Sequence, residues 1–387
     1  MNKNSLRVLM ISDVYFPRIN GVSTSIETFR NDLHHHGVDV TLVAPEYPDR
    51  HDAPATHRVP SWRLPFDPED RLMRWGHLAK KTRELAGGGF DVVHVQTPFA
   101  AHYAGVRAAR QMRVPVMATY HTHFEEYFHH YLPLVPRPWL RATARRFARG
   151  QCNTLDAVVV PSRAMRETLT AYGIRAPLHI LSTGIPVAQF QRGDGIRFRF
   201  NYDIPLGRPV ALFVGRVAHE KNIGFLLEAM THLKRSLPDA LLVVAGEGPA
   251  LPALQQSARA LGIERHVRFV GYLDRASQLP DCYAAADVFA FASKTETQGL
   301  VLLEAMAAGL PVYALAEMGT RDILEPRRGA VVAPDDPAAY GAGLAALLAD
   351  QPRLTRLADA ARGFAGEWSA PERARQLADL YRSLVAR

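Results

Sequence analysis

Apolar residues recur along this chain in short unbroken runs, each followed by a polar turn and then by an amphipathic stretch. In the first half such runs occupy residues 6–15, 38–43, 91–95, 114–119, 156–160 and 179–181. In the second half they occupy 209–214, 240–245, 267–270, 287–290 and 311–314. Runs rich in Val, Ile, Leu and Phe without alternation read as strands covered on both faces, as in a parallel sheet. The stretches between them carry helical spacing and end at breakers such as Gly37 and Gly309-Leu310-Pro311. The predicted order is therefore β-α-β, repeated in each half, an α/β class with two doubly wound domains. Residues 1–186 form the first domain, 187–208 (scattered Gly, Pro and charge) a linker, and 209–368 the second domain. Trp368-Ser369-Ala370-Pro371 then breaks the chain before a last amphipathic helix within 369–387. Residues 45–70, rich in Pro, Asp and Arg, read as an irregular connection.

The bulk numbers agree and exclude several classes. At 387 residues the chain exceeds the usual size of one core. No apolar run approaches the ~20 residues of a membrane span. Residues 1–5 pass straight into the first strand with no signal-peptide cleavage site behind it. Cys152 and Cys282 lie far apart without metal spacing, so a reduced, cytoplasmic protein is expected. The net charge of +8 is uneven, with +7 in residues 1–186 and +1 in 187–387. A basic first half suits an anionic partner such as a membrane surface, although a simply basic protein fits as well. No nucleic-acid motif accompanies it, so nucleic acid is not an expected partner.

One stretch organises the chemistry: Ser293-Lys294-Thr295-Glu296-Thr297-Gln298-Gly299-Leu300-Val301-Leu302-Leu303-Glu304-Ala305-Met306-Ala307-Ala308-Gly309. A polar loop carries Glu296, Gly299 permits a tight turn, and an apolar helix carrying Glu304 follows. Free N–H groups near Gly299, Leu300 and Val301 point at any bound anion. Two carboxylates for hydroxyls beside a pocket for phosphate match what a nucleotide-sugar presents. A second cluster supports this: Gly215-Arg216, followed by Lys221, flanks a strand-to-helix turn and places two cations beside helix N–H groups. Asn20-Gly21 brings bare backbone to the end of the first strand, where ligands of such sheets sit. Gly246-Glu247-Gly248-Pro249 makes another tight turn after a strand.

Three tempting readings fail. His34-His35-His36 cannot converge on one ion, because successive helical residues point about 100° apart. Gly87-Gly88-Gly89 punctuates a helix end and is no phosphate loop. His121, His123 and Glu125, in the dense block 120–131, show no convincing third ligand for a metal.

The Glu-x7-Glu block and Gly-Arg-x4-Lys together resemble the signature of the family 4 (group 1) retaining glycosyltransferases, and the resemblance extends over essentially the whole chain. It implies the GT-B architecture, two Rossmann-like domains facing each other across a cleft, with the last helix returning to the first domain. It implies transfer of a hexosyl group from a nucleoside-diphosphate sugar with retention. Glu296 would then contact the donor sugar, Glu304 the ribose, and Gly21 the donor phosphates. Gly215 and Gly246 would edge the donor cleft, and backbone beside Tyr272 would read the base. Arg216, Lys221 and the N–H groups at Gly299–Val301 would stabilise the leaving diphosphate, and His121 would support the sugar. No cofactor and no essential metal are expected.

The continuation of the His121 block, with His123, Glu125, Glu126 and Tyr127, looks most like the branch that glycosylates diacylglycerol. That implies a lipid acceptor, a UDP-sugar donor and a peripheral position on the inner membrane, with GDP-mannose and other acceptors as alternatives. Arg137, Arg141, Arg145 and Arg149 recur every four residues as one helical stripe, with Trp139 nearby. That face reads either as a dock for anionic lipid or as a solvated basic surface. From other classes, a nucleotide-sugar 2-epimerase and a non-catalytic sugar-nucleotide binder remain alternatives.

Overall fold

The computed structural model describes residues 5–18, 20–48, 54–63, 71–121 and 137–386. The chain divides into two compact units, Met1–Gly184 with Ala370–Arg387, and Ile185–Ser369.

The first unit is built on strands β1 (Leu6–Ile11), β2 (Val38–Pro45), β3 (Thr56–Val59), β6 (Val92–Val95), β7 (Val116–Thr119), β8 (Ala157–Val160) and β9 (Leu178–Ile180). A separate antiparallel ribbon pairs β4 (Ser61–Arg63) with β5 (Arg71–Met73). The sheet order β3-β2-β1-β6-β7-β8-β9 is parallel throughout. Helices α1 (Gly21–Leu33), α2 (Trp75–Ala86), α3 (Ala100–Met112) and α4 (Arg137–Cys152) connect the strands or cover the sheet. Residues 6–15 do not all extend. The strand stops at Ile11, where Ser12 donates its hydroxyl to the Val14 carbonyl at 2.6 Å and turns the backbone out of the sheet.

The last helix, Ala370–Val385, buries Ala374, Leu377, Tyr381 and Leu384 against Val8, Met10, Phe29 and Leu33 of the first unit. Burial of each large side chain there contributes about 1.5–3 kcal/mol. The Tyr381 hydroxyl lies 2.6 Å from Nδ1 of His94, whose Nε2 lies 2.8 Å from the Thr119 hydroxyl. A hydrogen-bonded line thus runs from the C-terminal helix through the core to the end of β7.

The second unit repeats the plan with β10 (Val210–Val214), β11 (Leu241–Ala245), β12 (Val267–Gly271), β13 (Val288–Phe291), β14 (Val312–Ala314) and β15 (Ala330–Val332). Their order is β12-β11-β10-β13-β14-β15, again parallel. Phe213, Phe289 and Phe291 stack inside, covered by Leu226, Leu227, Leu303 and Tyr340.

Two expectations are corrected here. Residues 187–208 are no free linker: they form short helices at Val187–Phe190 and Gly195–Asn201 that belong to the second unit. Phe190, Phe198 and Ile204 enter its core, and the guanidinium of buried Arg199 donates to the carbonyls of Pro205, Leu206, Arg208 and Ala285. Three well-spaced apolar residues outweigh the loop-like composition around them. Residues 45–70 likewise contain β3 and β4, because the β2 edge accepts one more parallel partner. The sequence reading also passed over β15 and the helix Gln351–Gly366.

Candidate active site

In open parallel sheets ligands bind beyond the carboxyl ends of the strands, where the strand order reverses. In the second unit that reversal lies between β10 and β13. The loops following these two strands carry Arg216 and Lys221 on one side and Glu296 on the other. They are tied together. Asn222 adopts a left-handed backbone, φ 55°, and its amide donates to the Ala292 carbonyl at 3.1 Å. Lys221 Nζ pairs with Oε1 of Glu296 in a half-buried contact. Arg216 is exposed, and its guanidinium makes no ion pair among the described residues. A charge-paired lysine and an unengaged arginine therefore sit at one switch point.

The glycines there are required by their surroundings. A Cβ on Gly246, at φ 132°, would lie 1.9 Å from the Gly215 carbonyl oxygen, and one on Gly319 would lie 2.0 Å from that of Thr297. Gly319 donates its N–H to the Glu296 carbonyl at 2.8 Å, which fixes the loop bearing that carboxylate. Gly299, at φ 88°, begins the helix Leu300–Ala307 and offers no capping side chain. The Leu302 N–H turns back to the Gly299 carbonyl at 3.0 Å, while no side chain caps the N–H groups of Leu300 and Val301, which can meet an anion.

Glu304 is 1 % exposed. Its Oε1 pairs with Arg275 and its Oε2 accepts from the Tyr283 hydroxyl at 2.9 Å. Arg275 also lies 5.7 Å over the Phe190 ring, so the segment misread as linker walls this carboxylate. Tyr272, at the end of β12, is 51 % exposed. Sequence reasoning found Glu304 but missed Arg275 and Tyr283, since nothing in their local pattern marks them.

In the first unit the reversal lies between β1 and β6. Asp13, just past β1, is buried and accepts from the Thr97 hydroxyl at 2.8 Å and from the Ala101 N–H at the start of α3. Burial raises its carboxyl to about 6. His121 follows β7, and its Nε2 lies 2.9 Å from Oε1 of Gln96, just past β6. Burial lowers the His121 imidazole to about 4, so it is neutral at pH 7 and presents Nε2–H to the Gln96 oxygen. Asp13 and Gln96 were missed, although a polar residue directly after a buried strand is a usable signal. Gly21 is the first residue of α1, capped by Asn20, whose side chain accepts from the Ser23 N–H at 2.9 Å. A Cβ there would meet nothing within 4 Å, so the fold itself does not demand glycine.

The acceptor-side residues are only partly in view. His123 and Tyr127 lie outside the described residues, as do the side chains of Arg137 and Arg141. Trp139 is 74 % exposed. Arg145 lies 5.3 Å over the Tyr172 ring, and Arg149 runs beside Gly173. Among the described residues no cluster of three or more His, Cys, Asp or Glu could hold a metal ion, and no helix is long and apolar enough to cross a membrane.

Cations and unpaired helix N–H groups can neutralise a diphosphate, and a neighbouring carboxylate can bind hydroxyls. On two parallel doubly wound sheets, that equipment fits the GT-B class of glycosyltransferases. Residues 195–364 match the model for glycosyl transferases group 1, and residues 19–189 that for glycosyltransferase family 4. The chain belongs to this family. It is 32 % identical to the alpha-monoglucosyldiacylglycerol synthase of Streptococcus pneumoniae, over 80 % of this chain and 71 % of the relative. It is equally 32 % identical to a GDP-mannose-dependent alpha-mannosyltransferase of Mycobacterium tuberculosis, over 85 % of this chain and 84 % of the relative. The fold matches that of sucrose-phosphate synthase from Thermosynechococcus elongatus with a TM-score of 0.79, covering 98 % of this chain and 99 % of the other at 21 % identity.

Proposed function

We propose that this glycosyltransferase moves a hexose from a nucleoside-diphosphate sugar, UDP-linked in preference, to a diacylglycerol-type lipid at the inner membrane surface, with retention of configuration. The observation that supports the donor half is the β10/β13 switch point, where the loop bearing Arg216 and Lys221 is tied through the Lys221–Glu296 pair to the loop that leads into the uncapped helix at Gly299. As the sugar leaves, negative charge grows on the β-phosphate, and these groups oppose it without reorganising. Two cations and several N–H groups supply that charge from the protein itself, which supports a reaction without an essential metal. Glu296, released from Lys221 when the diphosphate takes the ammonium, orients the sugar hydroxyls. Glu304, held by Arg275 and Tyr283, binds the ribose. Neutral His121 supports the sugar through its imidazole, a role that rests on the family resemblance.

The acceptor half rests on the pneumococcal glucosyldiacylglycerol synthase relative and on the His121–Tyr127 block. The mycobacterial relative gives the second reading, a GDP-mannose-dependent mannosyltransferase. Product analysis separates them. Purified protein is incubated with UDP- and GDP-sugars, with and without diacylglycerol in vesicles and with a chelator, and the anomeric proton of the product is read by NMR. A new α-linked glycolipid from UDP-hexose, lost in Glu296→Ala and Arg216→Ala, supports the proposal. Transfer only from GDP-mannose, or only to a soluble acceptor, overturns its finer part and keeps the family.

A further inference from the structure

Outside the switch points, a groove of about 760 Å³ opens on the first unit, between α3 and α4. Its residues follow from helical spacing. On α3, Ala101, Ala104, Gly105 and Ala108 are buried, and Gly105 packs so closely that a Cβ would lie 2.5 Å from Val95. That packing turns Tyr103, Val106, Arg107 and Arg110, spaced i, i+3, i+4 and i+7, toward the groove. On α4 the same spacing brings Thr143, Arg146 and Phe147 to the opposite wall. Tyr103, Val106 and Phe147 make an apolar lining, and Arg107, Arg110 and Arg146 add three exposed cations. Among the described residues no carboxylate lines the groove, and none of the three arginines makes an ion pair.

We infer that this groove binds an anionic phospholipid, its phosphate held by Arg107, Arg110 and Arg146 and the start of its chains lying on Tyr103, Val106 and Phe147. Charge complementarity selects this occupant. Three unneutralised guanidinium groups on one short surface repel one another until an anion joins them, and guanidinium forks match phosphate oxygens. The apolar lining gives a free phosphate nothing to cover, whereas an amphiphile covers both parts. The volume falls in the range of small-molecule sites. Trp139, 74 % exposed and four residues before Thr143, shares this face of α4 and is placed as an interfacial anchor. Of the expected basic stripe, Arg145 already covers Tyr172 and Arg149 runs beside Gly173. The groove thus offers a lipid contact on residues other than the stripe. It stands on residues other than those of the proposed reaction, and its test reads binding alone.

The test is co-sedimentation of the full chain with phosphatidylcholine vesicles, with and without phosphatidylglycerol. Each arginine near an anionic surface contributes about fivefold in partitioning. The double variant Arg107→Gln/Arg110→Gln is therefore expected to bind phosphatidylglycerol vesicles about 25-fold more weakly. Thr143→Trp fills the groove from an exposed position without changing charge and is expected to weaken binding as well. Arg192→Gln, exposed in the second unit, should leave binding unchanged once circular dichroism shows all variants folded. Full binding by Thr143→Trp would mean that surface charge alone acts and would overturn the inference. So would vesicle binding unaffected by either variant, or protection by inorganic phosphate with no vesicle binding. Sugar transfer to detergent-dispersed diacylglycerol is measured separately, so loss of one property does not imply loss of the other.

Discussion

The Tyr283 hydroxyl donates to Oε2 of Glu304 at 2.9 Å while Arg275 holds the other oxygen, so a carboxylate inside the second unit is satisfied on both sides. Breaking such a pair from one side strands a buried charge, which costs more than removing both partners. Arg275→Met is expected to lower stability by about 2–4 kcal/mol in urea unfolding, discounted because the arginine is a third exposed. Arg275→Met/Glu304→Gln should recover much of that loss. A double variant no more stable than the single one would refute the pairing.

Lys221 and Glu296 form a pair of a different kind, half-buried and reachable by ligand. Exposed pairs contribute at most about 1 kcal/mol to stability. Lys221→Ala and Arg216→Ala should therefore keep the melting temperature nearly unchanged. Each should lower kcat by about 10²–10³-fold if the cation stabilises the leaving diphosphate. Steady-state kinetics beside calorimetry decides this, and a fall confined to KM would argue against it.

Two glycines are expected to behave oppositely. Gly246→Ala drives a Cβ to 1.9 Å from the Gly215 oxygen at φ 132° and should cost at least about 2 kcal/mol. Gly21→Ala meets nothing within 4 Å at a helical position and should stabilise by up to about 1 kcal/mol. If donor phosphates approach Gly21, the same variant will raise KM for donor. Thermal melts and donor titration distinguish the two effects.

Acid should destabilise the first unit. Burial lowers His94 to about 3, His102 to about 4 and His121 to about 4, from an ordinary 6.5. Between about 4 and 6.5 the unfolded chain therefore binds protons that the folded chain refuses, and stability falls as pH falls through that window. Asp13, raised from 3.8 to about 6, acts the other way, since the folded chain holds its proton between those values. Three histidines outweigh one carboxyl. Each net proton contributes about 1.4 kcal/mol per pH unit at most. Melting temperature should drop from pH 7 to pH 5, and His102→Leu should flatten the slope by about one proton.

Gln96 acts on His121 by position. Gln96→Leu removes the acceptor of Nε2–H and should lower kcat more than it changes KM. Gln96→Glu places a carboxylate 2.9 Å from the ring and should raise the imidazole by about one to three pH units. A pH–rate profile whose acid limb stays in place in Gln96→Glu would show that the contact does not matter to turnover.

The sequence by itself determined the repeated β-α plan, the positions of most strands and the two motif blocks. These depend on local order: unbroken apolar runs, breakers, and residues a fixed few positions apart. Gly215 through Lys221 and Glu296 through Glu304 were legible for that reason. Tertiary structure alone decided the rest. It turned 187–208 from linker into wall, because Phe190 and Phe198 find a core that their neighbours' composition hides. It gave Glu304 its partners Arg275 and Tyr283, and His121 its partner Gln96, from tens of residues away. It also set Arg107 and Arg110 of one helix beside Arg146 of another along one groove. Local periodicity specifies which side of an element is buried. What stands opposite that side depends on strand order and helix packing, which no short stretch of sequence contains.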